Sequence, residues 1–142
     1  MPEQLTAHLS VTIHATPEKV WQALTDPAMI KQYLFGTDTQ TDWKKGSPII
    51  YTGEWQGKKY TDKGTIIDIV PQQLLHTTYL SGMSKKEDKP ENYANVIYEL
   101  EPEGNYTTLH LSQDHIANDE EMKHMQENWT MVLEGMKKLL EQ

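Results

Sequence analysis

The segment from residue 37 to residue 112 holds about six short apolar stretches joined by tight links. Turn signals such as Gly53 and Lys63-Gly64 separate the stretches, which are rich in Ile, Val, Thr and Tyr and predict strands. The predicted strands cover residues 48–52, 58–61, 65–70, 74–80, 94–100 and 107–112. Parallel strands need crossovers of about a dozen residues or more, and these links are shorter. The segment therefore predicts an antiparallel meander, interrupted by a mobile loop over the charged residues 84–91.

The two ends of the chain have different hydrophobic periods. Between residues 5 and 14 apolar and polar residues alternate, which predicts a strand with one buried face. In residues 118–142 apolar residues recur every three or four positions, which predicts one long amphipathic helix. Asn118 or Asp119 is its expected N-cap, because short polar side chains accept hydrogen bonds from the first free backbone N–H groups.

Two helix-start signals follow the first strand. Residues 16–17 and 26–27 each place a capping side chain, Thr or Asp, before a proline. Proline is favoured at the first helical position, where its missing N–H costs nothing. The sequence predicts short helices at Pro17–Thr25 and Pro27–Tyr33, with Gly36 ending the second.

This order of elements predicts an α+β fold made of one domain, residues 1–142. The apolar face of an antiparallel sheet must be covered, and only the terminal helix is long enough to cover it. A helix of twenty-odd residues spans roughly 30–36 Å. A curved sheet wrapped around such a helix grips it and leaves space for a cavity between the two.

Composition excludes several functional classes. The chain has no cysteine, which removes disulfides, zinc–thiolate sites and thiol catalysis. Its net charge is −8 and all 13 cationic residues are lysines, so it lacks the arginine fork that reads phosphate and guanine, and nucleic acid is not an expected partner. No export signal or membrane span is apparent, so the expected location is the cytoplasm, without membrane insertion.

No catalytic residue, metal site or cofactor is predicted. The six histidines lack the spacing of a zinc motif, and no serine lies in a nucleophile elbow. His76 shares a strand register with Leu74 and Thr78. If that register faces the cavity, His76 is a buried polar group able to contact a ligand; the alternative is a hydrogen-bonded core or edge histidine.

Four segments together resemble the START-like (SRPBCC) superfamily, in the subfamily named for the activator of the heat-shock-protein-90 ATPase. The run IHATPEKVWQALTDP at residues 13–27 is similar to the opening of that family, and GTIIDIVPQQL at 64–74 to one of its hairpins. The run VIYELEP at 96–102, followed by Gly104 and TTL, resembles the next hairpin. The terminal helix with Trp129 and Leu133 resembles its ending. The likeness extends from about residue 9 to residue 141.

The chain departs from the family pattern at three places. Asn128 stands where the family often has glycine, Gln73 where it often has arginine, and QYLF at residues 32–35 where RWF is common, with Tyr33 as the aromatic equivalent. The resemblance implies a helix-grip fold with a hydrophobic cavity. It implies no reaction, because members of the superfamily bind lipids, plant hormones or polyketides and only some catalyse cyclisation or hydrolysis.

Aromatic residues and methionines are the candidate ligand-binding residues. Methionine adapts its shape to a guest, and tyrosine and tryptophan combine an apolar ring with a polar group. The first candidates are Trp129, Met125 and Tyr98, because Trp129 is central in the stripe of the helix. The further candidates are Tyr33, Tyr51, His76, Tyr79, Met122 and Met136. Packing in the core is the alternative role for each of them.

The sequence is compatible with three candidate functions for this protein. The leading one is binding of a small hydrophobic or amphipathic molecule, lipid-like or aromatic, in the cavity. The second is a cyclase or hydrolase that uses the same cavity, with His76 and a tyrosine as acid and base. The third is a module that stimulates a chaperone ATPase in a stress response, ranked last because the partner domain of the eukaryotic activators is not expected in this chain.

Overall fold

The computed structural model describes residues 5–34, 36–82 and 87–141, without the side chain of Trp55. The described part of the chain forms seven strands and three α-helices, in the order β1 (Leu5–Ile13), α1 (Pro17–Thr25), α2 (Pro27–Tyr33), β2 (Asp38–Gln40), β3 (Pro48–Trp55), β4 (Lys58–Val70), β5 (Leu74–Tyr79), β6 (Ala94–Glu103), β7 (Tyr106–Ile116) and α3 (Asp119–Leu140). The strands make one sheet in the order β1-β7-β6-β5-β4-β3-β2. Every neighbouring pair is antiparallel, which confirms the predicted meander.

Strand β4 corrects the predicted turn at Lys63-Gly64. The two strands predicted over residues 58–61 and 65–70 are one strand of 13 residues, and Gly64 lies in its middle. A Cβ at Gly64 would overlap the backbone carbonyl oxygen of Thr78 on β5. This glycine therefore serves a close approach of two strands and not a turn.

Gly53 was also predicted as a turn and instead lies within β3, which extends to Trp55. The hydroxyl end of Tyr60 on β4 occupies the place that a side chain at position 53 would take. The short edge strand β2 was not predicted, because the sequence Asp-Thr-Gln carries no apolar residue. Of the predicted loop over residues 84–91, residues 84–86 lie outside the described part, and Pro90–Asn92 form a 3₁₀ turn.

The predicted helix caps are confirmed. The Lys19 N–H donates to Thr16 Oγ1 at 3.3 Å, and the Ala28 N–H donates to Asp26 Oδ1 at 2.9 Å. Asn118 caps α3, since its Oδ1 accepts the Glu121 N–H at 2.9 Å. Each cap satisfies a backbone donor that the helix itself leaves free.

Helices α1 and α3 pack on one face of the sheet. The core between them combines Leu133 and Met136 of α3 with Ile13, Ile66 and Leu109 of the sheet, all at most 3% exposed. Polar contacts also fasten the end of α3 to the end of β1. The Lys137 Nζ donates to the Thr12 carbonyl oxygen at 2.8 Å, and the His14 N–H donates to Glu141 Oε2 at 2.8 Å. The predicted α+β helix-grip fold is confirmed.

Substitution of two glycines by alanine should change stability in opposite directions. Gly64→Ala should lower the free energy of unfolding by about 1–3 kcal/mol, because β4 and β5 must separate to admit the methyl group. Gly135 lies in α3, where an added Cβ meets the Cβ of Tyr33 at an ordinary 3.6 Å. Gly135→Ala should leave stability unchanged or raise it by up to about 1 kcal/mol, because alanine is the better helix former. Urea unfolding measures both; equal effects of the two changes would contradict the assignment of Gly64.

Candidate functional site

The apolar stripe of α3 is buried unequally along its length. In the C-terminal half Val132, Leu133 and Met136 are 1–3% exposed. In the N-terminal half Met122, Met125 and Trp129 continue the same stripe but are only half-buried. The N-terminal half of the stripe is therefore partly exposed to solvent. We call the region between this half of α3 and the sheet the crevice.

Trp129 joins α3 to the sheet at the inner end of the crevice. Its ring meets the ring of Tyr98 on β6 edge to face, with centroids 6.1 Å apart and planes at 80°. Its Nε1–H donates to Gln113 Oε1 on β7 at 2.8 Å, and Gln113 is 6% exposed. Because both the ring and the N–H have partners on the sheet, the position of Trp129 is fixed by two elements at once.

Four tyrosines bring their hydroxyl ends together beside the crevice. Desolvation by the surrounding protein is the main cause that raises the pKa of Tyr33, Tyr51, Tyr79 and Tyr98 well above the usual range. The neighbouring phenols of Tyr51, Tyr33 and Tyr79 raise the pKa of Tyr98 further. The Tyr33 hydroxyl donates to the Ala23 carbonyl oxygen at 2.8 Å and so joins α2 to α1. The cluster therefore remains neutral and offers hydroxyl groups at any physiological pH.

A row of polar residues crosses the sheet next to these tyrosines. In the strand register Thr39 on β2 is opposite Tyr51 on β3, and Tyr51 is opposite Asp62 on β4. Directly opposed residues point to the same face. The Tyr79 hydroxyl donates to Asp62 Oδ2 at 2.6 Å, and the Gly82 N–H donates to Asp62 Oδ1 at 2.8 Å. The row thus combines a buried carboxylate with neutral hydroxyls.

The row faces the same side as Trp129. Asp62 and Ile66 are four residues apart on β4 and so share a face, and Ile66 is opposite Thr77 on β5. Leu75 lies two residues before Thr77 on β5 and therefore points to the same face. Leu75 is opposite Tyr98 on β6, and the ring of Tyr98 contacts the ring of Trp129. Sequence reasoning missed Asp62 and Thr39. The alternation of Tyr60, Asp62 and Gly64 indicates that Asp62 faces inward, but only if residues 58–70 are recognised as one strand.

The structure brings most of the predicted site residues together, with two differences. Met136 lies in the closed core at 1% exposure, so it does not border the open part of the stripe. His76 does not face this side at all. It is opposite Ile97, whereas its neighbour Leu75 is opposite Tyr98, and successive residues of a strand point to opposite faces.

His76 belongs to a hydrogen-bonded chain on the outer face. Its Nε2 lies 2.9 Å from Asn95 Oδ1, and the Asn95 side-chain amide donates to Asp114 Oδ2 at 2.8 Å. Asp114 Oδ1 also lies 2.6 Å from His115 Nδ1. Burial acts to raise the pKa of Asp114, but the hydrogen bonds from Asn95 and His115 outweigh it and hold that pKa below its usual range. His76 is therefore a hydrogen-bonded histidine on the outer face of a central strand, close to the predicted alternative of a hydrogen-bonded core or edge histidine.

Two surface depressions lie elsewhere. One of about 250 Å³ is on the outer face, between β1, β7 and β6, and includes His8, Ser10 and His110. The other, about 590 Å³ and open, lies beside Pro71 and Pro102. Across the described ranges no group of three His, Asp or Glu side chains is arranged to hold a metal ion.

The model of the family described as Activator of Hsp90 ATPase homolog 1-like protein matches residues 14–141. A solution structure from Cytophaga hutchinsonii is 42% identical, with a TM-score of 0.87, covering 99% of this chain and 97% of that one. The chain therefore belongs to this START-like family, as its sequence motifs predict. A search of curated proteins finds no match.

Two more distant structures share the fold. The Aha1 dimer from Colwellia psychrerythraea is 21% identical with a TM-score of 0.76, and each chain covers 96% of the other. An HSP90 activator from Plasmodium falciparum is 18% identical with a TM-score of 0.75 at the same coverage. At these identities the likeness shows the fold alone. None of the helices within the described ranges is long and apolar enough to span a membrane.

The tyrosine cluster predicts a loss of stability in alkali. A folded-state pKa above the unfolded value of about 10 means that stability is fully present below pH 10 and is lost as the pH rises beyond it. Above pH 10 the free energy of unfolding should fall by about 1 kcal/mol per pH unit for each clustered tyrosine. Urea unfolding between about pH 8 and pH 11 measures the slope, and Tyr51→Phe should make it shallower. A slope that Tyr51→Phe leaves unchanged would show that Tyr51 ionises equally in both states.

Proposed function

We propose that this protein binds a small amphipathic molecule in the crevice between the N-terminal half of α3 and the sheet. The observation that carries the proposal is the unequal burial of one stripe: Met122, Met125 and Trp129 are half-buried, while Val132, Leu133 and Met136 are closed off. Leu140, at the C-terminal end of the stripe, is also half-buried but packs against the core cluster, whereas Met122, Met125 and Trp129 are not among the described residues that do so. Apolar surface on the inner side of the N-terminal half is available to a guest.

The walls of the crevice suit a guest with an apolar body and a polar end. Met125 and Trp129 supply flexible and flat apolar surface, and Tyr98 faces Trp129 from the sheet. The tyrosine hydroxyls and Asp62 lie to one side as the polar part. A mainly apolar pocket with a few placed polar groups is the usual composition of a small-molecule site.

The enzyme alternative has less support. It relied on His76 as an acid or base in the cavity, and His76 lies on the outer face, bonded to Asn95. An acid–base group must come within hydrogen-bond reach of the reacting atom, directly or through one water. Of the acid–base candidates named from the sequence, only tyrosines with strongly raised pKa values remain beside the crevice, and these are poor bases at neutral pH.

Activation of a chaperone ATPase is the second candidate function. The family description names an activator of the Hsp90 ATPase, and a structural neighbour is titled an HSP90 activator. The measurement that decides it is the ATPase rate of the cognate chaperone with and without this protein. A saturable rise in rate supports this candidate, and an unchanged rate together with a bound small molecule supports the first.

The crevice predicts that two methionines of α3 differ in their effect on ligand binding. A panel of amphipathic lipids and aromatic metabolites is screened by thermal shift, where a ligand at 100 times its Kd adds about 2.7 kcal/mol of stability. Met125→Ala should weaken any hit about five- to thirtyfold, because it removes roughly 1–2 kcal/mol of apolar contact. Met131→Ala on the same helix is the matched control, since Met131 is 58% exposed and should leave affinity unchanged.

Trp129→Phe tests the same proposed binding site at the end of the crevice nearest the closed core. The change removes the N–H that Gln113 accepts and part of the ring, so a crevice ligand should bind more weakly. Hits that are indifferent to both Met125→Ala and Trp129→Phe bind elsewhere and contradict the proposed site. Hits converted to product would revive the enzyme alternative.

A further inference from the structure

The polar row beside the crevice contains a buried hydroxyl for which the described residues supply no hydrogen-bond partner. The Oγ1 of Thr39 is buried and, within the described ranges, has no hydrogen-bond partner, and the residue is 6% exposed. A buried hydroxyl without a partner costs about 1–3 kcal/mol. Such a cost is expected where the missing partner is supplied by something that binds.

Asp62, on the same row, is a buried carboxylate that has no cationic partner among the described residues. It is 9% exposed, and in the part of the chain that the structure describes no lysine forms an ion pair with it. Its donors within the described ranges, the Tyr79 hydroxyl and the Gly82 N–H, are both neutral groups. A carboxylate offers about four acceptor positions, so acceptor capacity remains after these two bonds. Buried carboxylates are ordinarily paired with a positive charge.

The surroundings of Asp62 favour a cation further. Tyr51 and Tyr79 both lie next to Asp62, and the centroids of these two tyrosine rings are 6.0 Å apart. The face of a tyrosine ring attracts cations. The net charge of the chain is −8, which raises the local concentration of cations and lowers that of anions. Adjacent strands lie about 4.8 Å apart, so Thr39, Tyr51 and Asp62 stand side by side over roughly 10 Å.

We propose that the Thr39–Tyr51–Asp62 row binds the protonated amine of an amphipathic ligand whose apolar body lies in the crevice. The ammonium group donates to the free acceptor positions of Asp62 and lies against the ring of Tyr51. Thr39, two strands away from Asp62, is too far for a direct bond to the same ammonium, so its Oγ1 accepts a hydrogen bond from a water molecule bound to the ammonium. This inference rests on the proposed function and adds the chemical class of the ligand, an apolar amine. Neutral alcohols and carboxylates of the same chain length fit the row less well, because they leave Asp62 without a counter-charge or repel it.

The test compares three probes that differ only in their polar end: octylamine, 1-octanol and octanoate, measured by calorimetry at neutral pH. We expect octylamine to bind at least tenfold more tightly than either of the others. Asp62→Asn should remove this preference. Asp68→Asn is the matched control: it makes the same charge change on the same strand, but Asp68 is opposite His76 on the outer face and should keep the preference.

Thr39→Val provides a second measurement that does not depend on the stability of the Asp62 variant. Valine keeps the shape and removes an unpartnered hydroxyl, so the melting temperature should stay the same or rise while octylamine binds several times more weakly. A fall in melting temperature would show that the hydroxyl is satisfied within the protein, for example by a structural water alone, and would overturn the role of Thr39.

Outcomes separate this inference from the proposed function. Equal affinity for the three probes, preference for octanoate, or equal losses in Asp62→Asn and Asp68→Asn would overturn the amine assignment. If Met125→Ala weakens the binding of a probe in any of these cases, the crevice is still supported as a binding site, and only the preference for an amine is wrong. Absence of binding by all three probes overturns the amine assignment, and the wider ligand panel then decides whether the crevice binds anything.

Discussion

The burial of the C-terminal half of α3 against the sheet is the contact on which the rest of the structure depends. Leu133 and Met136 are almost fully covered by residues of several strands, and burial of two such side chains contributes roughly 3–6 kcal/mol. The bonds from Lys137 to the Thr12 carbonyl and from His14 to Glu141 lie at the surface and add less, but they set where the helix ends along β1. The helix is thus held firmly at one end.

The N-terminal half of α3 is less deeply buried than the part around Leu133 and Met136. Toward the N-terminal end of the helix the inner face of the sheet carries Tyr98, Tyr79 and the polar row in addition to buried aliphatic residues such as Val96 and Leu111. Trp129 is the boundary, bonded to Gln113 and packed on Tyr98. One face of one sheet therefore combines a closed aliphatic part that supplies stability with a part that carries polar groups.

The fold could be predicted from the sequence where the signals are local. The caps at Thr16, Asp26 and Asn118 and the meander were confirmed because each depends on neighbours in the chain. The sequence predicts a turn at Gly64 because the constraint that requires a glycine there, the carbonyl of Thr78, is 14 residues away and visible only in three dimensions. Reading β4 as two strands also hid Asp62, whose inward direction follows from the continuous alternation.

The site was only partly predictable for a related reason. The stripe of α3 and the tyrosines are visible as patterns, but which face of β5 turns inward is decided by pairing with β6. Leu74 and Leu80 made the register of His76 look like the buried one, although Leu75 and Thr77 are the residues that face the helix. Hydrogen exchange along α3 tests the central claim most directly. The account predicts amide protection that rises from residues 123–129 to residues 130–137, beyond the fraying expected equally at both ends; equal protection of the two segments would contradict a helix held at one end above an open crevice.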